Sequence, residues 1–209
     1  MATGLPYCKG ERHERAIRGH DAGPDRQRIL YLRNQQAVHS VHLGLLRRIA
    51  RALLEETWRD GSFDLAIYLV AASEMTRLNE AFLRHKGSTD VITFDYAERA
   101  GQGARPSRFP APSGRFRGRR DVRPALLHGE IVACLDEAVC QARRFHTTWQ
   151  SELVRYVVHG VLHLLGYDDQ DNRARRRMKA AEDALVRRLA RRFVLSALSR
   201  TWKGRAADV

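Results

Sequence analysis

Between residues 41 and 58 the apolar residues Val41, Leu45, Ile49, Leu53 and Leu54 return at helical spacing. Steps of three and four keep them on one side of a helix, so the stretch is read as an amphipathic helix lying on a core. On either side the pattern shortens. Residues 29–32 and 63–70 are compact apolar runs that predict strands, the second of them buried. A second helix is predicted to open on Ser73 as its N-cap, with Glu74 in its first turn, and to carry Met75, Leu78, Phe82 and Leu83. Residues 89–96 alternate: Val91 and Thr93 face one way, and Asp90, Ile92 and Phe94 the other, which is the period of a strand. A further strand lies within 126–135, where His128, Gly129 and Glu130 lead into Ile131, Val132 and Ala133.

Three helices close the pattern. The first runs over residues 136–146 with Ala138, Val139, Ala142 and Phe145; the second begins near Glu152 and buries Leu153, Tyr156, Val157, Val161 and Leu164. The last, over 172–198, is one long helix or two, with Met178, Ala181, Leu185, Leu189 and Phe193 inward and arginines outward. This order predicts an α+β fold: a small mixed four-stranded sheet with helices mainly on one face.

Three stretches stand outside the pattern. Residues 1–27 are polar and glycine-bearing, and are read as a disordered or loosely attached extension. Residues 99–125 include eight arginines, four glycines, four prolines and a single acid, Asp121, and are read as a flexible basic insertion rather than part of a core. Residues 199–209 form a tail. That leaves residues 28–198 as one domain, a size that suits the 209-residue chain.

Charge narrows the partners. Lysine and arginine number 37 against 24 acids, a formal net charge of +13, which favours a polyanionic partner, nucleic acid first and a membrane surface second. The alternative is a solvated basic surface with no partner. Cys8, Cys134 and Cys140 are odd in number and lack Cys-x-x-Cys spacing, so no disulfide framework is expected and a reducing, cytoplasmic compartment is. No apolar run approaches 18 residues, and no membrane span is expected.

The chemistry gathers at residues 159–169, His-Gly-Val-Leu-His-Leu-Leu-Gly-Tyr-Asp-Asp. Four residues turn a helix by roughly 400°, so His159 and His163 leave the same face one turn apart, a separation that suits one metal ion. Gly166 sits where a helix commonly ends in a left-handed residue, and the returning chain brings Asp168 or Asp169 towards the same ion. Two histidines on a partly buried helix, each bonded to backbone or solvent, is the plain alternative. A zinc peptidase of the His-Glu-x-x-His type carries its general base beside the first histidine, where this chain has Gly160.

Residues 159–169 resemble the H-G-x-L-H-L-x-G-Y-D-H signature of the YbeY family of bacterial endoribonucleases, and Leu78-Asn79-Glu80-Ala81-Phe82 with residues 89–94 resembles that family's other signature. Gly129 to Val132, Met178 and Glu182 also fall at matching positions, and the resemblance runs over roughly residues 28 to 190. It implies a zinc-dependent, single-strand-specific endoribonuclease that matures the 3′ end of small-subunit ribosomal RNA and acts in ribosome quality control. By position the metal ligands are His159, His163 and Asp169. Asp169 departs from the signature's histidine; two imidazoles and a carboxylate still form a zinc donor set, while the harder oxygen admits manganese or iron. A family arginine four residues after the asparagine meets Leu83 here, with Arg84 next to it. Arg84, His85 or Lys86 is expected to stabilise charge on phosphate, and Asp168 or Glu130 to act as base or to orient a ligand histidine. Two rivals stand beside this reading: a non-enzymatic RNA-binding ribosome-assembly factor with a structural metal, and a metallopeptidase.

Overall fold

A computed structural model describes residues 27–37, 39–59, 61–97 and 126–199. Expectations for the extension, the basic insertion and the tail fall almost wholly outside these residues. Within them the elements follow the predicted order: β1 (Arg28–Asn34), α1 (Leu43–Thr57), β2 (Ser62–Val70), α2 (Ala72–Leu78), β3 (Val91–Asp95), β4 (Leu126–Cys134), α3 (Leu135–Phe145), α4 (Trp149–Leu164) and α5 (Asn172–Arg192). The four strands form one mixed sheet in the order β1-β2-β4-β3, with β3 antiparallel to β4 at one edge and the other neighbours parallel.

Alternation along the strands divides the core in two. Leu30, Leu32, Leu65, Ile67, Leu127 and Ile131 face the layer of α1 and α4, on which α5 packs, and join the main apolar cluster with Ile49, Leu53, Val157 and Val161. The opposite face buries a smaller set, Val70, Ile92, Val132 and Cys134, beneath Met75 of α2. The predicted α+β class, with its helices mainly on one face, is the fold observed. Among the described residues no helix is long and apolar enough to cross a membrane.

Some element ends differ from expectation. The second helix starts at Ala72 after an Ala71 cap, not after Ser73, because its first N–H is taken by the Asp136 carboxylate 2.6 Å away in a different helix. In α4 the cap is Thr148, whose Oγ1 accepts from the Ser151 N–H at 3.3 Å, so the helix begins three residues before Glu152. α5 stops at Arg192, where Phe193 turns extended; a 3₁₀ turn (Leu195–Ser199) then returns Leu198 to the core.

Two glycines let α4 lie down on the sheet. A Cβ at Gly160 would fall 2.8–2.9 Å from three side-chain atoms of Ile131, and one at Gly129 would fall 2.4 Å from the Phe94 carbonyl oxygen and 2.7 Å from Leu164. Any side chain at either position would lift the helix. This contact sets the height at which the histidine-bearing turns stand above β4.

Candidate metal centre

The last turn of α4 ends in a hydrogen-bonded glycine stop. Gly166 has φ +86°, its N–H donates to the His163 carbonyl at 2.8 Å, and the Tyr167 N–H donates to the Leu162 carbonyl at 3.0 Å. These paired bonds form a Schellman motif, which reverses the chain past the helix end. The reversal brings the Asp169 carboxylate back beside the two imidazoles. One donor atom each from His159, His163 and Asp169 lies within 4.8 Å of the others, and all three residues are half-buried.

The rings are held by their far nitrogens. His159 Nδ1 lies 2.9 Å from Glu182 Oε2, and His163 Nδ1 lies 3.2 Å from the Tyr167 carbonyl oxygen. A backbone carbonyl only accepts, and so does an ionised carboxylate, so each Nδ1 carries the hydrogen. Each Nε2 is then a bare lone pair in the neutral ring, and the two Nε2 atoms face one another at 3.0 Å. Two lone pairs at that distance repel; a cation between them turns the repulsion into attraction. Tetrahedral zinc with N ligands at 2.0–2.1 Å sets such nitrogens about 3.3 Å apart, so the pair is close to the required spacing. The donor set fits a divalent ion.

Electrostatics keep the arrangement in that state. Burial lowers the pKa of His163, helped by the neighbouring His159 and only partly opposed by Asp169, so the neutral ring is favoured. Burial alone would raise the pKa of Glu182, but its hydrogen bonds with His159, Lys179 and Arg155 outweigh that and hold it at about 2. Arg155 Nη1 meets Glu182 Oε1 at 2.5 Å and Asp183 Oδ1 at 2.6 Å, and Lys179 Nζ meets Glu182 Oε1 at 2.9 Å. Glu182 is 5% exposed, and a carboxylate this deep stays ionised only with such partners.

Of the remaining sequence candidates, neither Asp168 nor Glu130 is part of the triad's donor group. Asp168 is next to it and exposed, and its Oδ1 accepts from the Gln170 N–H at 3.1 Å. Glu130 is paired with Phe94 across the β3–β4 ladder, on the sheet face away from α4, and receives the Tyr96 hydroxyl at 3.4 Å. Arg84 caps a π-helical turn (Asn79–Leu83) before β3 and takes the left-handed conformation, φ 58° and ψ 25°. Its N–H donates to the Asn79 carbonyl, and the buried Asn79 side chain donates to the Gly87 carbonyl at 2.8 Å. A π turn spreads one more residue over each rotation than an α turn. Residue 84, counted from Asn79, therefore comes round to the angle that residue 83 would hold on an α-helix.

The carboxylate that holds His159 is Glu182, 23 residues away in sequence. The sequence holds one sign of it: Met178, Glu182, Leu185 and Leu189 share one face of α5, so an acid interrupts a buried stripe.

An α+β domain that gathers two imidazoles and a carboxylate where a helix ends belongs to the class of folds with a donor set able to hold a divalent ion. Comparison narrows the class to a family. Residues 31–190 match the family model described as Endoribonuclease YbeY, and the chain belongs to that family. It is 35% identical over 153 residues to Endoribonuclease YbeY of Acidothermus cellulolyticus, covering 73% of this chain and 86% of that one. With the same-named protein of Chlorobium phaeovibrioides it shares 34% identity over 143 residues, 68% of this chain and 78% of the other. The solution structure of TM1509 from Thermotoga maritima superposes with a TM-score of 0.51 at 22% identity, covering 85% of this chain and all of that one, a likeness of fold.

Proposed function

We propose that this protein is a metal-dependent, single-strand-specific endoribonuclease that matures the 3′ end of small-subunit ribosomal RNA in the cytoplasm, with one zinc ion held by His159, His163 and Asp169. Membership of the YbeY family supports the endoribonuclease activity. One observation carries the metal: two bare Nε2 atoms 3.0 Å apart, each fixed by a partner on its Nδ1. Three protein donors leave room for water, the pattern of a catalytic rather than a closed structural site.

A bound divalent ion supplies an acidified water and a polarised phosphoryl oxygen. The chain's own residues do the rest. Glu182 and the Tyr167 carbonyl hold each imidazole in the tautomer that presents Nε2. Asp168, with Oδ1 committed to Gln170, takes the proton of the attacking water at Oδ2. Arg84, exposed at the end of the π turn, holds a phosphate of the strand. Glu130, across the sheet, has no part in the step. The oxygen donor of Asp169 widens metal choice towards manganese and iron. The peptidase reading meets a steric obstacle: its glutamate would occupy position 160, where even a Cβ collides with Ile131.

Elemental analysis and cleavage of a single-stranded RNA test the proposal together. Wild-type protein is expected to hold one ion per chain and to cleave; His163→Ala is expected to lose both. Cleavage by wild-type protein stripped of all metal contradicts it.

A further inference from the structure

Four arginines crowd the start of α5: Arg173, Arg175, Arg176 and Arg177. Cations at this end of a helix oppose its dipole, whose positive pole is the N-terminus. The other helices of the second half, α3 and α4, place acids in the first turn, Asp136 with Glu137 and Glu152; α5 places none. A local conflict of this kind is expected at functional or strained sites. The N-cap carboxylate of Asp171 relieves part of it. Arg77, Arg155 and Arg188 form ion pairs, whereas among the described residues none of these four does. Arg173 and Arg177 lie near enough to Asp171 to help lower its pKa, after the Ala174 and Arg173 amides and against a small burial effect. Arg175 is aimed elsewhere. Its Nε donates to the backbone carbonyl of Asp169 at 3.2 Å, which fixes the guanidinium against the residue that supplies the third donor of the metal centre. Using Nε alone leaves both Nη groups to solvent beside the half-buried triad.

We infer that Arg175 is a substrate-contacting residue: its Nη groups take the phosphate of the RNA strand that approaches His159, His163 and Asp169. The inference rests on the endoribonuclease reading above. A phosphodiester entering this site must pass the carboxylates of Asp168 and Asp169, and a cation tethered to the Asp169 backbone offsets that repulsion where it is greatest. Guanidinium suits the task, because its planar fork grips two phosphate oxygens at once.

Steady-state cleavage of single-stranded RNA by metal-loaded protein, run beside elemental analysis, tests it. Arg175→Ala is expected to keep its full metal content while KM rises roughly tenfold, the loss of one charge-assisted contact. The salt dependence of log kcat/KM should become shallower by about one unit. Arg175→Lys should recover part of the loss, as a point charge without the fork. Arg187→Ala removes the same charge three turns along the exposed side and should leave KM near wild type. An unchanged KM in Arg175→Ala overturns the inference, as does an equal rise in Arg187→Ala, which would mean diffuse attraction. Loss of metal in Arg175→Ala overturns it in favour of a residue that merely positions Asp169. Wild-type protein that loads metal yet cleaves no RNA refutes the underlying endoribonuclease reading, and it does so before any variant is made.

Discussion

His159 and His163 stand one turn apart on one helix, yet they are held by different kinds of support. His163 leans on the backbone: its Nδ1 partner is the carbonyl of Tyr167, four residues on, delivered by the glycine stop at Gly166. His159 leans on another helix: its partner is the carboxylate of Glu182, itself pinned by Arg155 and Lys179. One support is local and made of main chain, so no side-chain substitution can remove it directly. The other is tertiary and depends on α5 staying docked against α4. The two histidines of this site should therefore fail in different ways.

The tertiary support gives the largest effect short of removing a ligand. Glu182→Gln keeps the shape but ends the charge, and Arg155 then retains Asp183 and, more distantly, Glu152. Metal affinity should fall by about 10–100-fold, the usual cost of losing a partner behind a ligand histidine. Calorimetric titration with zinc checks this; affinity within twofold of wild type would mean that His159 needs no such partner. The local support can be reached only through its turn. Gly166→Ala forces a Cβ into φ +86°, at a cost of about 1–2 kcal/mol. Chemical denaturation should show that loss, with a smaller fall in metal affinity than Glu182→Gln gives. An equal or larger fall would reverse the ranking of the two supports.

Acid separates the supports without mutation. The pKa of His163 is lowered in the fold, so the unfolded chain takes up its proton first, and metal-free protein loses stability as pH falls below the ordinary imidazole value of 6.5. For Glu182, held at about 2 against 4.5 when unfolded, the stabilisation is complete above 4.5 and is lost between there and about 2. Denaturation curves across pH should thus decline in two stages. In Glu182→Gln the lower stage should shrink and the upper should remain; a single stage in both proteins would contradict the assignment.

The same contrast explains what the sequence revealed. His159, His163, the glycine stop and the returning aspartates lie within eleven residues, where helical periodicity and turn chemistry act directly, and all of that local geometry could be read from the chain. The order of strands and helices was equally legible, because each carries its own hydrophobic period. Glu182 was not assigned its role, since nothing local links it to His159, although an acid within the stripe of Met178, Leu185 and Leu189 was a sign. The true cap of α2 escaped for the same reason: Asp136 reaches it from 64 residues away. At Arg84 the reading by spacing assumed an α-helix, and a π turn shifted the angular count by one residue.

The proposed centre holds one divalent ion between two imidazoles and the carboxylate at 169. X-ray absorption at the zinc edge of metal-loaded protein tests it most directly. One ion per chain is expected, with two nitrogen donors and a carboxylate oxygen at about 2.0–2.2 Å, and none retained by His163→Ala. A first shell made of sulfur, or one unchanged in His163→Ala, would contradict it.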